Sequence, residues 1–407
     1  MTRNLAGLVT LGLALVAGLL ASTVSPDDIA ERARKLQASS LVFDTHVDTP
    51  QRLLFEKLDL GKRDAEGHLD IPRMREGGMN AVFMSIWTPS KPGGLRSVKR
   101  AFDLIDAVRE QVRRHPNDLM LATTAEDVRR ARGQGKIAVL MGLEGGHMID
   151  DDLGLLRIYA ALGVRYLTLT HGSNTNWADS STDDSKHNGL TSFGRSVVRE
   201  LNRLGVLVDI SHVSDKTFYD ALETSRAPLI ASHSSCRALC GHERNMTDEM
   251  IRALAKKGGV IHINYNTGFL RQEYLEAYHR IADTIKAKDS EADKRYGENM
   301  ALVIRANERV RRELTAAGQL PRVSWEKIVD HIDHVVKLVG VDYVGLGSDF
   351  DGATMPEGME DCSKLVRITE ALLRRGYAEA DIRKILGGNT LRLLEQAERV
   401  SQEMQQQ

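Results

Sequence analysis

The residues of this chain best suited to chemistry are histidines and carboxylates that follow short apolar runs. His46 and Asp48 stand two apart after Leu41-Val-Phe43, and in an extended strand both side chains point to one face. An imidazole beside a carboxylate forms a two-ligand claw for a divalent ion. His-x-Asp also occurs at strand ends where it binds nothing, so the pair gains weight only from repetition. Later apolar runs repeat it, ending in Leu143-Glu144-Gly-Gly-His147, Thr170-His171, Ser211-His212, Ser232-His233 and Ser348-Asp349. Core strands have no structural use for such endings. The glycines after Glu144 let the backbone crowd a ligand. These groups exceed what one ion needs, so a two-metal site follows. A bridging Glu can hold two ions about 3.5 Å apart, which together acidify a shared water and polarise a carbonyl oxygen. Amide hydrolysis is the expected chemistry, and no Gly-x-Ser-x-Gly nucleophile elbow competes with it.

One rim can collect groups so far apart in sequence only if many strands end there. Short β-prone runs at 41–47, 80–87, 136–143, 164–170, 205–211, 228–232, 259–265 and 343–348 read as strands. The segments between them have helical period, as in Ser97 to Arg114, where Ala101, Leu104, Ile105, Val108 and Val112 share a face. A polar helical lead runs from Pro26 to Gln37. Strands alternating with helices pair in parallel, and eight such units predict an α/β fold, a closed (β/α)8 TIM-type barrel with functional groups at the strands' C-terminal ends. The charged stretch 274–319, between the seventh and eighth strands, is too long for an ordinary loop and predicts a helical insertion at the mouth, as a lip or a dimer contact. A single catalytic domain then covers 26–407.

Length and composition agree. The 407 residues fit one large barrel, and 42% apolar content is enough for its core. With 55 basic and 56 acidic residues and no long basic run, nothing resembles a nucleic-acid footprint. Arg3 precedes an uncharged run from Asn4 to Ala21, so residues 1–25 read as a signal peptide or an N-terminal membrane anchor. Export to the periplasm or outside the cell is expected, with membrane attachment only through this segment. No Cys follows the run, and the polar end of the chain offers no lipid-anchor signal. Cys236, Cys240 and Cys362 are too few for a disulfide scaffold; Cys236 and Cys240 are filler or one bridge.

The ordered motifs resemble those of the membrane dipeptidase (renal dipeptidase) family, zinc peptidases of the amidohydrolase-like barrel group. The resemblance runs from about Leu41 to Leu394 through Asp44-Thr-His-Val-Asp48, His68-Leu-Asp-Ile-Pro-Arg-Met-Arg-Glu-Gly-Gly78, Leu143-Glu-Gly-Gly-His147, Tyr166-Leu-Thr-Leu-Thr-His171, Asp209-Ile-Ser-His212, Ser232-His-Ser-Ser235, Arg244-Asn245, Gly347-Ser-Asp-Phe-Asp-Gly352 and Gly387-Gly-Asn389. It implies two zinc ions per subunit, one held by His46, Asp48 and Glu144 and the other by Glu144, His212 and His233. It further implies that His171 stabilises the oxyanion, that Asp349 moves the water's proton to the leaving amine, and that Arg244 clamps the substrate's C-terminal carboxylate. The implied function is dipeptide hydrolysis by metal-bound hydroxide, tolerating a C-terminal D-residue, in a homodimer. Rivals are another binuclear amidohydrolase, acting on an N-acyl amino acid, a lactone or a β-lactam, and a non-catalytic binding protein on the same barrel. His147, Asp44 and Asp351 are assigned to support rather than to the metals. His68, His187, His242, His262, His331 and His334 have no assigned work, and Asn174, Trp177 and Asp179 either line the mouth or pack a loop.

Overall fold

A computed structural model describes residues 26–407 except Pro92. The expected signal or anchor segment, 1–25, lies outside the described residues. Nine parallel strands form one sheet: β1 (Phe43–Val47), β2 (Ala81–Trp87), β3 (Leu119–Leu121), β4 (Ile137–Glu144), β5 (Val164–Thr168), β6 (Leu207–Asp209), β7 (Ile230–Ser234), β8 (Val260–Ile263) and β9 (Val344–Leu346). Eight close into a barrel in the order β1-β2-β4-β5-β6-β7-β8-β9, with β9 pairing back to β1. All eight predicted strands are present. β3 was not predicted; it pairs with the first residues of β4, Leu119 opposite Ile137, on the edge that β5 uses only farther along.

Strand composition explains the closure. On β4 the side chains alternate, as pleating requires. Ala138 and Leu140 join Phe43, Phe83, Tyr166, Leu207, Ile230 and Val260 in one buried cluster. Val139, Met141 and Leu143 join the larger layer between strands and helices. Gly142 and Glu144 continue the first parity. A Cβ at Gly142 would run into the Tyr166 ring, so glycine there lets tyrosine cross the barrel below Glu144. The closing helix Asn389–Gln405 seals the opposite end with Leu393, Leu394 and Ala397.

Several strands are shorter than predicted because the chain leaves the ladder just before the reactive residues. His212, Asp349 and Asp351 have φ of +68°, +66° and +63°, a left-handed backbone that re-aims their side chains at a cost of about 1–3 kcal/mol each. The chain between β8 and β9 carries helices Gln272–Arg280, Ala282–Tyr296 and Met300–Ala316. Ion pairs fasten the last of these to the mouth: Arg305 to Glu56 at 2.5 Å and to Glu66 at 2.7 Å, and Glu308 to His68 at 3.4 Å. The three cysteines are buried and free, so the bridge the sequence allowed between Cys236 and Cys240 does not form. Among the described residues no helix is long and apolar enough to cross a membrane.

Candidate metal centre

Glu144 ends β4 inside the mouth, and the predicted ligands converge on it. Its Oε2 lies 3.4 Å from His46 Nε2; its Oε1 lies 3.0 Å from His212 Nε2 and 3.3 Å from His233 Nε2. Asp48 Oδ2 is 3.7 Å from His46 Nε2. His171 Nε2 is 3.7 Å from Glu144 Oε1, with its ring stacked on Trp87 at 5.4 Å. Three overlapping sets have metal-ligating spacing: His46, Glu144 and His233; Glu144, His171 and His212; and His46, Asp48 and Asp349.

The orientation of these groups is fixed from behind. Tyr166 Oη lies 2.8 Å from His46 Nδ1, where it can accept the Nδ1 proton and leave the Nε2 lone pair facing the centre. His233 Nδ1 lies 2.8 Å from Ser232 Oγ, which donates to Asp209 Oδ2 at 2.7 Å; Thr168 donates to the same oxygen at 2.6 Å. Ser85 donates to Glu144 Oε2 at 2.9 Å. Asn264 donates to Asp349 Oδ2 at 3.0 Å. Gly352 packs its bare Cα against Asp48 and Asp349, where any Cβ would collide.

The electrostatics fit a cation. Burial opposes charge on Glu144, yet the surrounding imidazoles, His46 and His171 foremost, outweigh it and hold the carboxyl well below its usual range. Burial lifts Asp48 to about 8, and the neighbouring Glu144 and Asp349 charges add to the rise. Burial lowers His171, His212 and His233, the direction that favours the neutral form ligation requires. His212 Nε2 and His233 Nε2 lie 3.0 Å apart, while His46 Nε2 and Asp48 Oδ1 are buried with no hydrogen-bond partner. Buried acceptors facing one another in this way are costly without a cation between them.

Arg244 lies on the same rim, almost wholly buried. Its Nη2 donates to the His233 carbonyl at 3.4 Å, its guanidinium rests 5.5 Å above the Phe269 ring, and its Nη1 has no partner. Burial lowers its pKa to about 10. The residues kept out of the ligand set do other work. His147 Nε2 is 3.1 Å from both the Thr88 hydroxyl and carbonyl. Asp44 accepts from the His46 and Ser348 amides, and Asp351 from Thr49 and the His68 amide. Trp177 and Asp179 are buried in the loop after β5, which favours packing over the mouth.

A family model described as membrane dipeptidase, peptidase family M19, matches residues 30–407. The chain belongs to the membrane dipeptidase family. It is therefore a metallo-dipeptidase, a hydrolase that works with a metal cofactor. It is similar to Dipeptidase 3 of Macaca fascicularis, 33% identical over 93% of this chain and 70% of the relative. In structure it resembles the probable dipeptidase PvdM from Pseudomonas aeruginosa, with a TM-score of 0.80 and 28% identity over 92% of this chain and 100% of that one. It also resembles a Rhodobacter sphaeroides metallo peptidase liganded with a phosphinate mimic of L-Ala-D-Ala, with a TM-score of 0.73 and 27% identity over 88% of this chain and 100% of that one.

Proposed function

We propose that this metallo-dipeptidase takes two zinc ions, with His46, Asp48 and Glu144 holding one and Glu144, His212 and His233 the other. The observation that carries this reading is the opposed reach of Glu144, Oε2 toward His46 and Oε1 toward His212 and His233. Imidazole nitrogens mixed with carboxylate oxygens suit zinc. When bound, the ions supply Lewis acidity and lower the pKa of water at the site.

The chain's own residues do the rest. Asp349 is held ionised: burial opposes its charge, but the neighbouring His233 and His46 outweigh it. With Oδ2 bonded by Asn264, Asp349 takes a proton from the attacking water and returns it to the leaving amine. His171, held flat by Trp87, donates a hydrogen bond to the carbonyl oxygen as it gains charge. Arg244, buried with Nη1 unpartnered, calls for an anion from outside the chain, and the C-terminal carboxylate of a dipeptide supplies it. The dipeptide mimic in the Rhodobacter sphaeroides relative supports a C-terminal D-residue as substrate here too. We also assign residues 1–25 to export or membrane attachment and 26–407 to one catalytic unit.

The test is hydrolysis of L,L and L,D dipeptides beside an N-acyl amino acid, using metal-stripped protein with and without added zinc. Zinc-restored cleavage of both dipeptide series is expected. Cleavage of the N-acyl amino acid alone would move the substrate to another amide class.

A further inference from the structure

A cavity of about 270 Å³ lies between the mouth and the helices that follow β8. Its floor includes Gly352, whose Cα touches Asp48 and Asp349. Its near wall is Phe269 and His242, the two residues that also seat Arg244: Phe269 lies beneath the guanidinium, and His242 Nδ1 accepts the Arg244 amide at 3.1 Å. A substrate clamped by Arg244 and cut beside Glu144 has one group placed to enter here, the side chain of its C-terminal residue.

The lining specifies what enters. Phe269, Tyr274, Tyr278 and Ile304 give apolar and aromatic walls. The charges of the roof are already matched, Arg311 with Asp289 at 2.6 Å and Glu308 with His68 and Arg312. A charged side chain would therefore be desolvated there without a counter-ion. Two lining residues have a polar atom left over: Asn307 Oδ1, on the roof beside Ile304, and Thr267 Oγ1 are both buried without a partner. The volume, near the lower limit for small-molecule pockets, suits one side chain.

We propose that this cavity is the specificity pocket for the C-terminal residue, selecting uncharged aromatic side chains with a hydrogen-bonding tip, and that Asn307 reads the tip. The proposal rests on the substrate placement argued above. The hydroxyl of a C-terminal tyrosine satisfies the Asn307 amide, whereas phenylalanine leaves it buried and unpaired.

The experiment compares kcat/KM for Gly-Tyr, Gly-Phe and Gly-Ala, and for the reversed pair Tyr-Gly and Phe-Gly, on the zinc-loaded enzyme. Gly-Tyr should exceed Gly-Phe by about tenfold, the worth of one buried hydrogen bond. Asn307→Leu, close to isosteric, should bring that ratio to about one. Ile304→Phe, which fills the cavity, should lower Gly-Tyr and Gly-Phe relative to Gly-Ala. A wild-type ratio near one, a ratio that survives Asn307→Leu, or discrimination only between Tyr-Gly and Phe-Gly would overturn the pocket assignment while leaving dipeptide hydrolysis intact. No cleavage of any of the five dipeptides would instead bring down the substrate placement and this proposal together.

Discussion

At Glu144 two large effects oppose each other, and the neighbours decide which prevails. Burial alone would protonate the carboxyl; His46, His171, His212 and His233 together keep it charged. That leaves two anionic oxygens facing two separate groups of imidazoles, which no neutral side chain of the same shape could offer. Asp349 differs in kind, because its proposed work is moving a proton. Asparagine tolerates the left-handed backbone at this position and keeps the shape, so Asp349→Asn removes the proton acceptor with little else. A fall in kcat of about 10²–10⁴-fold is expected, with zinc content by elemental analysis unchanged. Loss of a zinc in that variant would make Asp349 a ligand instead. The groups around the centre were legible in the sequence because histidine and carboxylate at the end of an apolar strand have no packing purpose. Tyr166, Ser232, Asp209, Asn264 and Ser85 were not singled out, because tyrosine, serine and asparagine are ordinary in strands and only the fold shows whom they face. Three of them stood in plain view in the motifs Tyr166-Leu-Thr-Leu-Thr-His171, Asp209-Ile-Ser-His212 and Ser232-His233.

Among the elements, the loop after β5 ties parts of the rim together. Asp179, fully buried, gathers it by accepting from the amides of Lys186, His187 and Gly189 at 3.1, 2.9 and 3.0 Å and from the Ser185 hydroxyl at 3.2 Å. The loop then ties the two histidine turns together: Ser180 Oγ donates to the His171 carbonyl at 2.6 Å, and the Ser181 amide to the His212 carbonyl at 2.8 Å. Burial raises the Asp179 pKa, but the backbone amides outweigh it and the net direction is down. A depressed folded pKa gives stability that is complete above the unfolded value of about 3.9 and is lost as pH falls through the folded one. Asp179→Asn should therefore cost about 1–3 kcal/mol at neutral pH, and the gap to wild type in urea midpoint should narrow below about pH 4. A gap that stays constant into strong acid would show that the carboxylate charge is not what organises the loop. The main strands were legible from their apolar runs and the helices from their period. β3 was not, because its three residues, Leu119, Met120 and Leu121, follow a polar turn and gain strand character only from the free edge of β4. The ends of β5, β6, β8 and β9 were overextended for the opposite reason: residues with good strand propensity leave the ladder to aim their neighbours at the centre.

Over the whole molecule, the barrel places its reactive groups at one end and its seal at the other. Leu393, Leu394 and Ala397 close the bottom, Tyr166 crosses the middle, and the helices after β8 lie against the mouth. The composition of 274–319 pointed to helix, and its departure from the C-terminal end of a strand pointed to the active face. It could not show that Ile304 and Asn307 would roof a cavity beside Arg244, since that depends on which helix face the ion pairs of Arg305 and Glu308 turn inward. A centre assembled from β1, β4, β7 and the turns after β5, β6 and β9 exists only in the folded chain, so bound metal should also raise the melting temperature by mass action. The measurement that tests the centre most directly is a zinc titration of metal-free protein followed by dipeptide hydrolysis and elemental analysis. No activity without metal, and a plateau at about two equivalents per chain, is the result expected of a Glu144-bridged pair. A plateau at one equivalent, or full activity without metal, would contradict it.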